Sequence, residues 1–169
     1  MKIEIRHVEP EDYKAIHQIY TQPKVVYGTL QLPFAPTQHY RELLEDSSKG
    51  SYGLVACVED EVVGHLHLQT YPNKSRRKHA ASLGMAVLEE CQGKGVGTKM
   101  MQAAIEFAEQ WLNISRLELS VYIDNEPAIR LYKKTGFEIE GTLRNFAYRD
   151  GQLVDVYYMS RIREFHSES

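Results

Sequence analysis

Residues Gln92-Gly93-Lys94-Gly95-Val96-Gly97 stand between an apolar run and an amphipathic stretch, and that juncture narrows the choice of fold more than any other part of the chain. The run ahead of it, Ala80 to Val87, reads as a β-strand. Behind it, Met101, Ala104, Ile105, Ala108 and Leu112 recur at i, i+3, i+4, i+7 and i+11, which is one face of an α-helix. The first turn of a helix has N–H groups with no partner inside the helix, and the aligned peptide dipoles favour negative charge there. Glycine allows a diphosphate to come close to the main chain because no Cβ intervenes. A strand, a glycine-rich turn and a helix start together predict an anion cradle. The turn does not match the P-loop, which needs four residues between its first Gly and Gly-Lys, followed by Ser or Thr. It does not match the dinucleotide-binding fingerprint either, because position 98 holds Thr where that pattern, read from Gly93, needs Gly or Ala.

What the turn does match is Gln-x-x-Gly-x-Gly. A second segment follows downstream, Asp124-Asn125-Glu126-Pro127-Ala128-Ile129-Arg130-Leu131-Tyr132-Lys133-Lys134-Thr135-Gly136-Phe137. It is similar to Asn-x-x-Ala-x-x-Leu-Tyr-x-x-x-Gly-Phe. Two such motifs, in this order and with strand patterns between them, resemble the GCN5-related N-acetyltransferases over nearly the whole chain. The stretch from Glu138-Ile139-Glu140-Gly141-Thr142 to Tyr157-Tyr158-Met159 further resembles a bacterial branch that acylates small amines, free amino acids or protein N-termini.

The resemblance implies an α/β fold with a mixed, mostly antiparallel sheet whose central strands splay apart, flanked by helices. It implies acetyl-CoA as co-substrate and no metal. Gln92, Gly93, Lys94, Gly95, Val96, Gly97 and Thr98 would hold the diphosphate. Met85, Ala86 and Val87 would offer a strand edge to the pantetheine amides, as an added strand does. Asn125 would bond the cofactor arm, although asparagine at this place also caps a helix. Tyr132 would stand near the thioester sulfur. A phenol, with a pKa of about 10, is neutral at pH 7 and donates a proton as a general acid.

The general base is less legible. Many relatives carry a carboxylate at the place of Ser82 or of Ser120, and neither is acidic here. Glu118 lies two residues before Ser120 and shares its strand face, so it is the candidate base. His65 and His67 share one face of an earlier strand and are alternatives, as is a water chain. A free α-amino group has a pKa of about 8, so roughly a tenth is neutral at pH 7, whereas a lysine side chain is neutral only about once in a few thousand. A weak base is therefore better tolerated by an α-amine. The expected acceptor is a free amino acid. Protein N-terminal acetylation of the ribosomal-protein type and a non-catalytic CoA-binding module are the alternatives. Tyr27, Leu30, Leu32 and Phe34, with Phe146, Tyr148 and Tyr157, either form a pocket for an apolar acceptor side chain or cover the core or a dimer interface, and Arg76, Arg144 or Arg149 could meet a substrate carboxylate.

The formal net charge of −3 gives no electrostatic reason for nucleic-acid binding. No run approaches a membrane span, and Met1-Lys2-Ile3-Glu4-Ile5-Arg6 has no apolar signal core. Cys57 and Cys91 show no metal-type spacing and suit a reducing compartment, so a cytoplasmic protein is expected. The 169 residues are expected to form one domain, 1–169, and a homodimer by analogy. The patterning predicts a strand at Ile3–His7, a helix from about Glu9 to Tyr20, and a loose apolar segment from Pro23 to Pro36. A helix at Thr37–Asp46 follows, then a hairpin of Leu54–Val58 with Val62–Thr70 and an exposed basic loop at Pro72–Lys78. After the strand, turn and helix already described come a strand at Leu117–Ile123, a short helix from about Asn125 to Gly136, and a closing hairpin around Asp150-Gly151.

Overall fold

Alternating apolar and charged residues at the start of the chain form β1 (Glu4–His7), and a 3₁₀ turn at Pro10–Asp12 leads into α1 (Tyr13–Tyr20). These elements come from a computed structural model that describes residues 1–46 and 48–165. The segment expected to be loose opens instead with a short helix, α2 (Pro23–Gly28). Pro23 sits at its first helical position with its φ already suited to a helix, but Val25 and Val26 mask the signal in a propensity reading. Then come α3 (Thr37–Glu45), β2 (Ser51–Val58) and β3 (Glu61–Thr70). The turn between the two strands places both Glu59 and Asp60 at positive φ, 51° and 68°, as a two-residue hairpin turn that follows strand twist requires.

The central elements are β4 (Ala80–Val87), α4 (Val96–Glu106), β5 (Arg116–Tyr122) and α5 (Glu126–Lys134). The long helix does not run unbroken to Leu112, because its last stretch, Phe107–Trp111, widens into a π turn. The chain closes with the hairpin of β6 (Glu138–Arg149) and β7 (Gln152–Ile162), turning at Asp150 and Gly151.

The seven strands make one mixed sheet in the order β1-β2-β3-β4-β5-β7-β6. Every pairing is antiparallel except β4 with β5. That parallel ladder has three rungs, Ala80↔Arg116, Ala81↔Leu117 and Ser82↔Glu118. Beyond Ser82 the strands part, although β4 continues to Val87 and β5 to Tyr122. The expected splay is therefore present, and it opens a wedge in the middle of the sheet. Opposite faces of β3 receive different helices. Gly64 faces α4, where an added Cβ would lie 2.8 Å from Met100 Cε, and the adjacent His65 faces α1 through Tyr20. Met100, Met101 and Ala104 of α4, Ile16 and Ile19 of α1, and Leu66, Leu68 and Leu117 of the sheet are fully buried. Among the described residues no helix is long and apolar enough to cross a membrane.

Candidate active site

The wedge between β4 and β5 opens into a cleft of about 740 Å³. One wall is Leu83 to Val87 of β4, whose edge toward β5 has no strand partner beyond Ser82. A parallel edge of this kind offers main-chain donors and acceptors to any extended chain laid along it.

The glycine turn closes the end of that edge. Gln92 Nε2 donates to the carbonyl of Val87 at 3.0 Å, pinning the turn to the end of β4. Gly95, the residue before α4, has φ 87°, a left-handed conformation natural to glycine. The first main-chain bond into α4 runs from Lys99 N–H to Gly95 C=O at 3.0 Å, and no side chain caps the helix. The N–H groups of Val96, Gly97 and Thr98 therefore stand free at the positive end of the helix dipole. Gly97 is needed for another reason. A Cβ there would lie 3.0 Å from both Leu131 Cδ2 and Met85 Cε, so its absence lets α4 close on α5 and β4.

Of the residues expected to hold the diphosphate, Gln92, Gly93, Gly95, Gly97 and Thr98 line the cleft. Lys94 and Val96 do not. Lys94 is exposed, and the Val96 side chain is buried in the core beneath Gly64, so Val96 can contribute only its main chain. Met85, Ala86 and Val87 line the cleft as expected. Asn125 lines it too, while its Oδ1 accepts from Ala128 N–H at 3.4 Å, so it does cap α5.

Tyr132, on the inner face of α5, reaches the cleft from a nearly buried position and packs at a tilt against Phe137. Burial pushes its phenol up to about 12, so the proton is firmly held at neutral pH. Its hydroxyl makes no hydrogen bond to another described residue, which leaves it available to a ligand in the cleft.

Glu118 is in a different situation. It is 3% exposed and does not line the cleft. Both its oxygens accept from Arg77, at 2.8 and 2.9 Å, and it also accepts from Arg116 Nε at 2.8 Å and Tyr158 Oη at 2.6 Å. Burial acts to raise its carboxyl, but donation from Tyr158, Arg116 and Arg77 outweighs that and lowers it. A carboxylate so held is a poor proton acceptor, and this corrects the expectation that it serves as base. The reason is register. Glu118 shares a face with Ser120, but it forms the last closed rung with Ser82, whereas Ser120 lies beyond it in the wedge.

The far end of the cleft joins two expected residues, Arg149 and Tyr27, to two that were not expected there, Tyr122 and Asp124. The Arg149 guanidinium lies 3.8 Å from the Tyr27 ring centroid and 4.6 Å from that of Tyr122, and it pairs with Asp124. Tyr122 Oη donates to the Thr29 carbonyl at 3.0 Å, tying the segment after α2 to the end of β5. Tyr27, Leu30 and Phe146 line the cleft as expected, whereas Leu32, Phe34 and Tyr148 do not and are largely exposed. Tyr157 packs against the core. Tyr20, Lys24 and Gln31 complete the wall, but nothing in their local patterns sets them apart from ordinary helix and loop residues.

The comparisons with known proteins agree with this geometry. The model of the acetyltransferase (GNAT) family matches residues 7–137. An L-amino acid N-acetyltransferase of Escherichia coli (strain K12) is 44% identical over 162 residues, covering 96% of this chain and 99% of its own. A spermidine N(1)-acetyltransferase of the same strain is 29% identical, covering 89% of this chain and 80% of its own. The crystal structure of a ribosomal-protein-alanine N-acetyltransferase from Brucella melitensis superposes with a TM-score of 0.83 at 26% identity, over 95% of this chain and 99% of that one. The sheet that parts at Ser82, the glycine turn at a bare helix start and the family match together settle the kinship: this chain is an N-acetyltransferase and belongs to the acetyltransferase (GNAT) family.

Proposed function

We propose that the protein moves the acetyl group of acetyl-CoA to the α-amino group of a free amino acid. The observation that carries the donor half is the wedge, with an unpaired β4 edge, free helix-start N–H groups and a protonated tyrosine along one cleft. When bound, acetyl-CoA supplies an acetyl thioester on an arm that ends in a diphosphate. The N–H groups of Val96, Gly97 and Thr98 bind that diphosphate, and the turn from Gln92 to Gly95, with Lys94 exposed beside it, shapes its approach. Met85, Ala86 and Val87 pair with the amides of the arm, and Asn125 holds it from the α5 side while still capping that helix. Tyr132 holds at its hydroxyl the proton that the departing thiolate needs.

The acceptor half rests on the strong similarity to an L-amino acid N-acetyltransferase and on the α-amine argument from the missing carboxylates. The cytoplasm is the compartment we propose, since Cys57 and Cys91 are both unpaired thiols.

A panel of amino acids, polyamines and N-terminal peptides, assayed by thiol release from acetyl-CoA, tests this reading. Amino acids should give the highest kcat/KM. Peptide turnover above amino-acid turnover would replace this acceptor with protein N-termini, and tight cofactor binding without any turnover would leave a binding module. Tyr132→Phe should lower kcat by about 100-fold, within the usual range for a general acid, with acetyl-CoA affinity little changed. Unaltered turnover would remove Tyr132 from the chemistry.

A further inference from the structure

The proposed transfer needs a proton acceptor for the substrate's ammonium, and two of the candidates are engaged elsewhere. Glu118 is locked in ion pairs outside the cleft. His65 is buried, with Nδ1 sharing a hydrogen bond with Tyr20 Oη at 2.9 Å, and does not line the cleft. His67, two residues on and on the same face of β3, does line it. It is half-buried, and its Nε2 lies 2.6 Å from Ser51 Oγ on β2. Its partner across β4 is Gly84, where an added Cβ would meet nothing within 4 Å. The position beside His67 on β4 thus carries no side chain, and both residues open onto the cleft.

Building on the acetyl-transfer reading above, we infer that His67 is the general base, accepting the proton at Nδ1 through one water, with Ser51 as its positioning residue. In this arrangement the ring proton sits on Nε2 and is donated to Ser51 Oγ, 2.6 Å away, so that Nδ1 carries the accepting lone pair. Burial lowers the imidazole below its usual range, so the ring is neutral and able to accept at pH 7. Two protons leave the attacking nitrogen. The first passes through the water to His67 and on to solvent, freeing the lone pair that forms the new N–C bond. The C–S bond breaks with its electrons on sulfur, Tyr132 protonates that sulfur, and the second nitrogen proton restores Tyr132.

The groups that face His67 are few. β2 presents Gly53 opposite it and Ser51 diagonally, and β4 presents Gly84 with Ser82 and Ala86 beside it. The titratable neighbours are His65 on β3 and Tyr20 from α1, and the charged side chains elsewhere in the cleft are Lys24, Asp124 and Arg149.

The test compares wild-type protein with His67→Gln and Ser51→Ala in three measurements: kcat and KM across pH, calorimetric titration with acetyl-CoA, and ¹⁵N imidazole NMR. His67→Gln should lose about 100-fold in kcat at pH 7, a typical general-base contribution, with acetyl-CoA affinity unchanged. Its kcat/KM should keep climbing tenfold per pH unit until the acceptor amine itself deprotonates, whereas the wild-type profile levels off below pH 6.5. Ser51→Ala should lose less in kcat and shift the tautomer equilibrium. The wild-type His67 signal should show a proton on Nε2 and none on Nδ1 at pH 7. A His67→Gln enzyme with wild-type kcat and pH profile overturns the proposal, and so does an Nδ1-protonated ring. Wild-type protein that acetylates no amine in the panel would overturn the acceptor reading instead, with the NMR tautomer still deciding on His67.

Discussion

Glu118 and Tyr132 are both buried, yet their surroundings differ. Glu118 is surrounded by donors that hold its charge in place, while the Tyr132 hydroxyl faces a cleft with its proton retained. Replacing Glu118 with Gln removes the charge that Arg77 and Arg116 are built around. Breaking a buried pair of this sort costs roughly 3 kcal/mol, somewhat less here because Arg77 is partly exposed. Urea unfolding of Glu118→Gln should therefore show a loss of about 2 kcal/mol, with kcat within a few-fold of wild type. A large kcat loss without destabilisation would return Glu118 to the chemistry. Strand alternation correctly places Glu118 and Ser120 on one face, but it does not reveal at which rung a parallel ladder ends. Where that ladder ends is a property of the tertiary packing, so a residue one step inside the closed seam looks in sequence like one in the gap.

Elements with a strong local signature are legible, and those held by distant partners are not. The turn between β4 and α4 announces itself through three glycines, and α4 through its periodic face. The short α2 is hidden because its stability comes from docking: Glu89 Oε1 accepts from Lys24 N–H at 2.7 Å, and Gln22 Oε1 accepts from Glu89 N–H at 2.9 Å, across a gap of more than sixty residues. The glycines of the turn differ in what they tolerate. At Gly95 a valine must adopt φ 87°, which a β-branched residue resists, although space for its Cβ exists. At Gly97 the backbone is ordinary, but the new side chain pushes Leu131 and Met85 apart. Both Gly95→Val and Gly97→Val should weaken acetyl-CoA binding by at least about tenfold in calorimetry, since either moves the helix-start N–H groups. Unchanged affinity in both variants would remove the turn from the cofactor site.

Across the whole molecule, pH should act on stability through a buried histidine before it acts through carboxylates. Burial lowers His65 to about 4, beneath the 6.5 of an unfolded imidazole. Between those values the unfolded chain binds more protons than the folded one, so stability is fully present above pH 6.5 and is lost as pH falls through 4. Asp12 and Glu118, both lowered, begin to lose their own contribution only as pH falls into the ordinary carboxylate range, and lose the rest below it. Unfolding free energy should thus fall by roughly 2–3 kcal/mol between pH 7 and pH 4.5, and His65→Gln should flatten that slope. A wild-type protein equally stable at both pH values would contradict the burial of a neutral ring. The seam of three rungs between β4 and β5 has a consequence at this same scale. On the proposed reading the donor's arm finishes the sheet, so the floor on which an amino acid comes to rest is made partly of another ligand. The order of arrival is then built into the architecture: donor before acceptor, and acylated product away before the sheet can part again.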